Sequence, residues 1–523
     1  MLQNCSKIII YYVINNFKNI VKYRKRKYIY IGEKEKLDPK IIPKYKNQLY
    51  KPHIFHPILI KTRKNDYKEA RVEEYLYFID ICSFKEQILP HGFPKTTVIG
   101  AAGLIKTSKG TVRYIRAFPG ASFEVSRYAP IHVRWRNKTD RLIRIYIHGL
   151  KSYKTDISYE LDKLYKRVSD HKYENNQETA LYWYQDKSNL MSTIGLYIIK
   201  EDKKDYRYNF KSMDLPVSKY KYPLIIQDCS FYKDGSVVYP SGKVSDKSNT
   251  AVSWLPYYGD VILVNGRAWP NLEVERRQYR FYILNASRSR FYNLYLSNGV
   301  DFLVIGGDKG LLPSAVRQKN ILLAPGERVD LLIDFSRLAK GSRIILRNDA
   351  KTPYPHGELV NPETVGQIMS FHIPDHEALS ISPSKLPNKL YDAAIIPKNL
   401  PVIVNLISKD VEVKEGSVLL NGNRCTLPIT IKGQIESPQE WCFINITELS
   451  YPVYFKESKF RIISRQEIDT RSFSRQWNDS KDYQTIGPHL LGDPKESEEY
   501  ERGWKDTLRI DPGMVTRVLV QSN

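Results

Sequence analysis

No stretch of this 523-residue chain is apolar for long enough to cross a bilayer as a helix, which takes about 20 residues. The nearest approach, Ile8-Ile9-Ile10-Tyr11-Tyr12-Val13-Ile14, is too short, and no clear small-residue cleavage site marks it as a secretory segment. Cysteine is scarce. Cys5, Cys82, Cys229, Cys425 and Cys442 are odd in number and never spaced as Cys-x-x-Cys, so neither a zinc ribbon nor a redox pair is signalled. Nor do they assign a compartment. Phosphate-binding and serine-hydrolase signatures are missing: there is no P-loop, no Gly-x-Ser-x-Gly and no Gly-x-Gly-x-x-Gly opening a helix. Gly306-Gly307-Asp308-Lys309-Gly310 is Gly-rich, but it leads into Leu311-Leu312-Pro313 rather than a helix N-terminus. No specific nucleic-acid motif is present. The ten histidines include two close pairs, His53/His56 and His372/His376. Each pair lies beside proline at a segment end and reads as local structure rather than a metal site.

Size and composition point to a folded, multidomain β protein. A chain this long exceeds one compact core. A hydrophobic content of 42% excludes overall disorder, and 38 tyrosines with many Val and Ile favour strands. The net charge of +24 is uneven: residues 1–70 hold 17 Lys and Arg against 5 Asp and Glu, a net of +12. Its centre, Lys22-Tyr23-Arg24-Lys25-Arg26-Lys27-Tyr28, suits an anionic membrane surface or a solvated tail.

Residues 1–35 read as a basic N-terminal extension. From there, short apolar-alternating runs separated by Gly, Pro, Asn and Asp argue for antiparallel sandwiches. Thr111–Arg116, Ile131–Trp135 and Leu142–Ile147 are examples. Residues 151–187 are charged and Tyr-rich with no clean strand period, and a short helix is expected at Leu161–Arg167. Val261-Ile262-Leu263-Val264 before Asn265-Gly266 is a strong hairpin signal. The expected division is residues 36–215, residues 216–375, a linker at 376–398, and residues 399–523.

The centre of the chain resembles the multicopper oxidases, in particular the three-domain branch of spore-coat laccases, bilirubin oxidases and plant low-phosphate-root ferroxidases. The residues that carry the resemblance are Pro223–Asp228, Ile262–Pro270, Tyr279–Ser287, Asp301–Asp308 and Leu323–Asp330. Thinner matches at Phe118-Pro119-Gly120, Val133–Asn137, Asn361–Thr364, Leu419–Gly422 and Gly503–Thr507 extend it over roughly residues 95–523. It implies an all-β fold of three cupredoxin-like Greek-key β-sandwich domains. It also implies copper held by histidines and a cysteine, with substrate oxidation coupled to reduction of oxygen to water.

The ligand motifs themselves are altered. Tyr146-Ile147-His148-Gly149 stands where the family has His-x-His-Gly, and Trp183-Tyr184-Gln185-Asp186-Lys187 where it has Trp-Tyr-His-Asp-His. Tyr451-Pro452-Val453-Tyr454-Phe455-Lys456 stands where it has His-Pro-x-His-x-His. Copper needs neutral imidazoles and, at the electron-accepting site, a thiolate. Of the degenerate positions Tyr146, His148, Gln185, Lys187, Tyr451, Tyr454 and Lys456, only His148 keeps the expected donor. An ammonium at Lys187 or Lys456 opposes a cation by about 4 kcal/mol per unit charge at ~4 Å and an effective dielectric of ~20. The chain stops at Asn523, soon after Val518-Leu519-Val520 and before a His-Cys-His segment. The third sandwich is therefore expected to be incomplete, with a partner protein's strand as one way to complete it.

These readings lead to a multicopper-oxidase-like protein without copper binding or oxidase activity, retained for a structural or binding role. No catalytic, metal-binding or cofactor-binding residue is expected. The alternatives are a copper-dependent oxidoreductase with a rearranged site and a non-functional degenerate product.

Overall fold

In the computed structural model the chain forms three β-sandwiches, each with a larger sheet facing a smaller one. The structure describes residues 34–65, 68–141, 143, 145–150, 168–186, 192–201, 213–239, 256–376, 380–383, 385–391, 402–410, 418–420, 423–425, 429–431, 437–456, 458–480 and 486–522.

One strand plan repeats three times. An early strand of each larger sheet pairs in parallel with a later one. The pairs are Lys68–Glu86 with Ile131–Asn137, Lys221–Cys229 with Gln278–Asn285, and Val402–Asp410 with Gln439–Asn445. The later strand then pairs antiparallel with Val168–Tyr173, Arg328–Asp334 or Met514–Ser522. Each later strand ends on asparagine, and the same corner follows. Asn137 Oδ1 accepts from Thr139 N at 2.9 Å, Asn285 Oδ1 from Ser287 N at 3.0 Å, and Asn445 Oδ1 from Thr447 N at 3.0 Å. The asparagine amide donates onward to Arg141 O, Arg290 O or Leu449 O, so the side chain stands in for a backbone turn. This repeat is absent from the sequence reading above.

The smaller sheets differ. In the second sandwich two strands, Gln367–His372 and Arg343–Asn348, lie between Asn271–Glu273 and Tyr292–Leu296. In the third, among the described residues, Ile429–Ile431 pairs in parallel directly with Tyr451–Phe455. Met514–Ser522 is interior to its larger sheet, with neighbours on both sides.

The expected hairpin forms. Asn265 and Gly266 take φ of 49° and 71°, as a two-residue primed turn requires, and join Val261–Val264 to Arg267–Ala268. The segment 151–187 holds two strands that alternation did not reveal, Val168–Tyr173 and Leu181–Asp186. The second is buried on both faces. Tyr182 and Tyr184 enter the first core, whereas Leu181 and Trp183 pack with Ile225, Tyr282 and Leu284 of the second sandwich. A doubly buried strand shows no apolar–polar alternation. The helix expected at 161–167 lies outside the described residues. The strand expected at Leu142–Ile147 is Ile145–His148. An unanticipated helix, Thr470–Ser480, is capped by Asp469, whose Oδ1 accepts from Arg471 N and Ser472 N. Residues 37–49 run along the second sandwich. Tyr45 N bonds Trp269 O and Leu49 N bonds Asn271 O.

Candidate functional site

The altered motifs meet where the three sandwiches join. In the first sandwich, register puts Tyr146 opposite Gln185 and His148 opposite Trp183. Residues two apart on a strand share a face, so all four side chains project together. The His148 imidazole stacks on the Trp183 indole, with centroids 3.8 Å apart and planes within 2°. Its Nε2 lies 2.8 Å from Gln185 Nε2, and Tyr146 meets it edge-on at 4.5 Å.

The third sandwich supplies the opposing wall. Along Tyr451–Phe455, Tyr451, Val453 and Phe455 point into the third core, so Tyr454 faces the other way. The Tyr454 ring meets His148 at 5.1 Å and 70°, and its hydroxyl donates to Pro325 O at 2.9 Å. Burial raises the Tyr454 pKa well above the usual tyrosine range, so the phenol stays protonated. Lys456 is buried, with its ammonium 5.7 Å from the Tyr146 ring centroid. Tyr146, His148, Gln185, Tyr454 and Lys456 thus form one cluster, Tyr451 packs apart from it, and Lys187 lies outside the described residues.

A buried ionic cluster adjoins the aromatic one. Arg328 binds Asp506 in bidentate fashion, at 2.5 and 2.8 Å. It also donates to Leu181 O at 3.1 Å, Gly326 O at 3.1 Å and Asp308 O at 2.9 Å. Every guanidinium N–H therefore has an acceptor. Burial opposes the charge, but Asp506 and Asp308 outweigh it and hold Arg328 firmly protonated. Lys505 bridges Asp308 at 3.4 Å and Glu327 at 2.9 Å. Lys309 donates to Gly149 O at 2.6 Å, and burial pulls its pKa down to about 8 against the pull of Asp506. Two glycines permit this approach. Gly149 (φ 79°) faces the Asp506 carboxylate and Gly326 (φ 86°) faces the Tyr454 ring, and a β-carbon at either would collide. Asp308, Lys309, Arg328 and Asp506 entered the sequence reading as landmarks or a Gly-rich turn, not as a network. Their one local signal is charge at the ends of, or in turns between, otherwise apolar strands.

The donor chemistry can be tested against copper. Among the described ligand positions, the single imidazole is stacked on one face and its Nε2 is engaged by an amide; the others offer phenols, an amide and an ammonium. No group of three or more His, Cys, Asp or Glu suited to a metal ion occurs among the described residues. This donor set does not fit a copper cluster.

Three sandwiches with a junction built from ligand-motif positions define a multicopper-oxidase architecture, and the chain belongs to the multicopper oxidase family. It is 30% identical to a laccase of Bacillus subtilis (strain 168) over 522 residues, covering 91% of this chain and 93% of that protein. It is 33% identical to the multicopper oxidase LPR1 of Arabidopsis thaliana over 368 residues, 67% of this chain. It spans 61% of LPR1's length. In structure it is similar to a laccase from Pediococcus acidilactici Pa5930, with a TM-score of 0.64 and 21% identity, covering 92% of this chain and 89% of that one. A multicopper oxidase from Campylobacter jejuni gives a TM-score of 0.63 at 18% identity, covering 94% and 92%. No family model matches the chain.

Proposed function

We propose that this chain is a multicopper-oxidase homologue that has given up copper binding and oxidase activity and serves as a structural or binding protein. The observation that carries the reading is the His148 ring, closed in by Trp183 and Gln185 with the Lys456 ammonium buried in the same cluster. An imidazole so engaged lacks the neighbours a copper ion needs, and a buried ammonium disfavours a second cation. The saturated Arg328 network favours this over a degenerate product, because broken buried networks are strongly destabilising. The second reading, a copper-dependent oxidoreductase with a rearranged site, draws on the names of the relatives.

The deciding experiment combines metal analysis of the purified chain, its visible spectrum and oxidation of a laccase substrate. The expected result is substoichiometric copper, no blue band and no turnover in a folded protein. Stoichiometric copper with turnover overturns the proposal. Two partner assignments belong to the same reading: an anionic membrane surface for the basic N-terminus, which lies mostly outside the described residues, and a protein partner at the third sandwich.

A further inference from the structure

The side chains at the ligand positions make contacts that span all three sandwiches. We propose that they form, together with Arg328, a metal-independent fastener that locks the sandwiches into one cooperative unit. This rests on the copper-free reading above.

The fastener has an aromatic half and an ionic half. In the aromatic half, Trp183 and His148 of the first sandwich receive the edge of Tyr454 from the third, and the Tyr454 hydroxyl reaches Pro325 O of the second. In the ionic half, Arg328 of the second sandwich reaches Leu181 O of the first and the Asp506 carboxylate of the third. The halves share two pieces of backbone. Leu181 and Trp183 project from one face of a single strand, into the apolar contact with the second sandwich. Gly326 offers its carbonyl to Arg328 and its bare α-carbon to the Tyr454 ring. Loosening either half therefore moves the backbone that seats the other. Stacking, a buried phenol bond and a saturated ion pair do here what metal–ligand bonds do elsewhere, tying separate chain segments into one folded unit.

The test is differential scanning calorimetry and limited trypsin digestion of the full chain, with and without EDTA. The wild-type chain is expected to unfold in one transition that EDTA leaves unchanged. Tyr454→Ala is expected to split that transition and to raise the rate of cleavage between sandwiches about tenfold. Tyr454→Phe, which keeps the ring and loses only the bond to Pro325 O, is expected to fall between the two. If Tyr454→Ala is recovered only as aggregate, Trp183→Leu replaces it with the same expected outcome. A single transition and unchanged digestion in these variants overturn the fastener and leave the copper-free reading standing. A wild-type transition lowered by EDTA, with copper released, overturns the copper-free reading and the fastener with it.

Discussion

Arg328 is the side chain on which most of the junction converges. With 1% of its side chain exposed, it donates to backbone or carboxylate of all three sandwiches. Arg328→Met keeps most of the volume but leaves the buried Asp506 carboxylate with only weaker partners, Lys309 at 3.7 Å and the Thr507 hydroxyl at 3.1 Å. The expected loss is about 3–5 kcal/mol, measured by urea unfolding. Adding Asp506→Asn should recover part of it, because the stranded charge is then gone. A loss below about 1 kcal/mol would show that the network is solvated and contributes as a surface pair does.

At the scale of elements, the asparagine corners make the three sandwiches alike. Asn445 is fully buried and donates to Leu449 O at 2.9 Å and Ile510 O at 3.2 Å, while Thr447 N and Oγ1 donate back to its Oδ1. Asn137 makes the same turn but is less buried. Asn445→Ala is expected to cost about 2–3 kcal/mol, through buried backbone groups left unpaired, and Asn137→Ala about 1 kcal/mol. Paired thermal unfolding curves check the order, and equal losses would contradict it. Each corner feeds directly into the strand that bears, or corresponds to, an altered motif: Ile145–His148, Tyr292–Leu296 and Tyr451–Phe455. The repeat thus helps bring Tyr146 and Tyr454 to the same imidazole, His148.

For the whole molecule, the seam between the first two sandwiches is expected to weaken in acid. Glu201 lies 2.7 Å from Arg280 Nη1, accepts from the Tyr282 hydroxyl at 3.2 Å and is near Lys221. Burial alone would raise its pKa, but Arg280 and Lys221 outweigh burial and hold it down to about 2. A carboxylate depressed on folding contributes stability that is complete above its unfolded pKa of about 4.5. That contribution fades as pH falls towards 2. Glu201→Gln should therefore be less stable than wild type at pH 7, and the gap should close between pH 4.5 and 2, followed by urea midpoints. A pH-independent gap would mean that Glu201 acts through packing alone.

Much was legible in the residues themselves. The order of the landmarks carried the resemblance to the family, and that resemblance implied the three-sandwich plan; strand periodicity and turn chemistry such as Asn265-Gly266 are local and showed β structure by themselves. The replaced donors at Tyr146, Gln185, Tyr454 and Lys456 were equally plain, since side-chain chemistry needs no fold to be recognised. Other features were not legible, the asparagine-corner repeat and the strand Val168–Tyr173 among them. The strand Leu181–Asp186 hides its period because both faces are buried, and Thr470–Ser480 is marked only by its cap. The link from Arg328 to Leu181 and Asp506 spans 147 and 178 residues of sequence, beyond the reach of any local pattern. The sequence by itself determined which donors stand at the ligand positions. Only the tertiary structure decided what those side chains touch, because strand pairing sets Trp183 and Gln185 beside His148 and packing of the third sandwich against the first brings Tyr454 onto it.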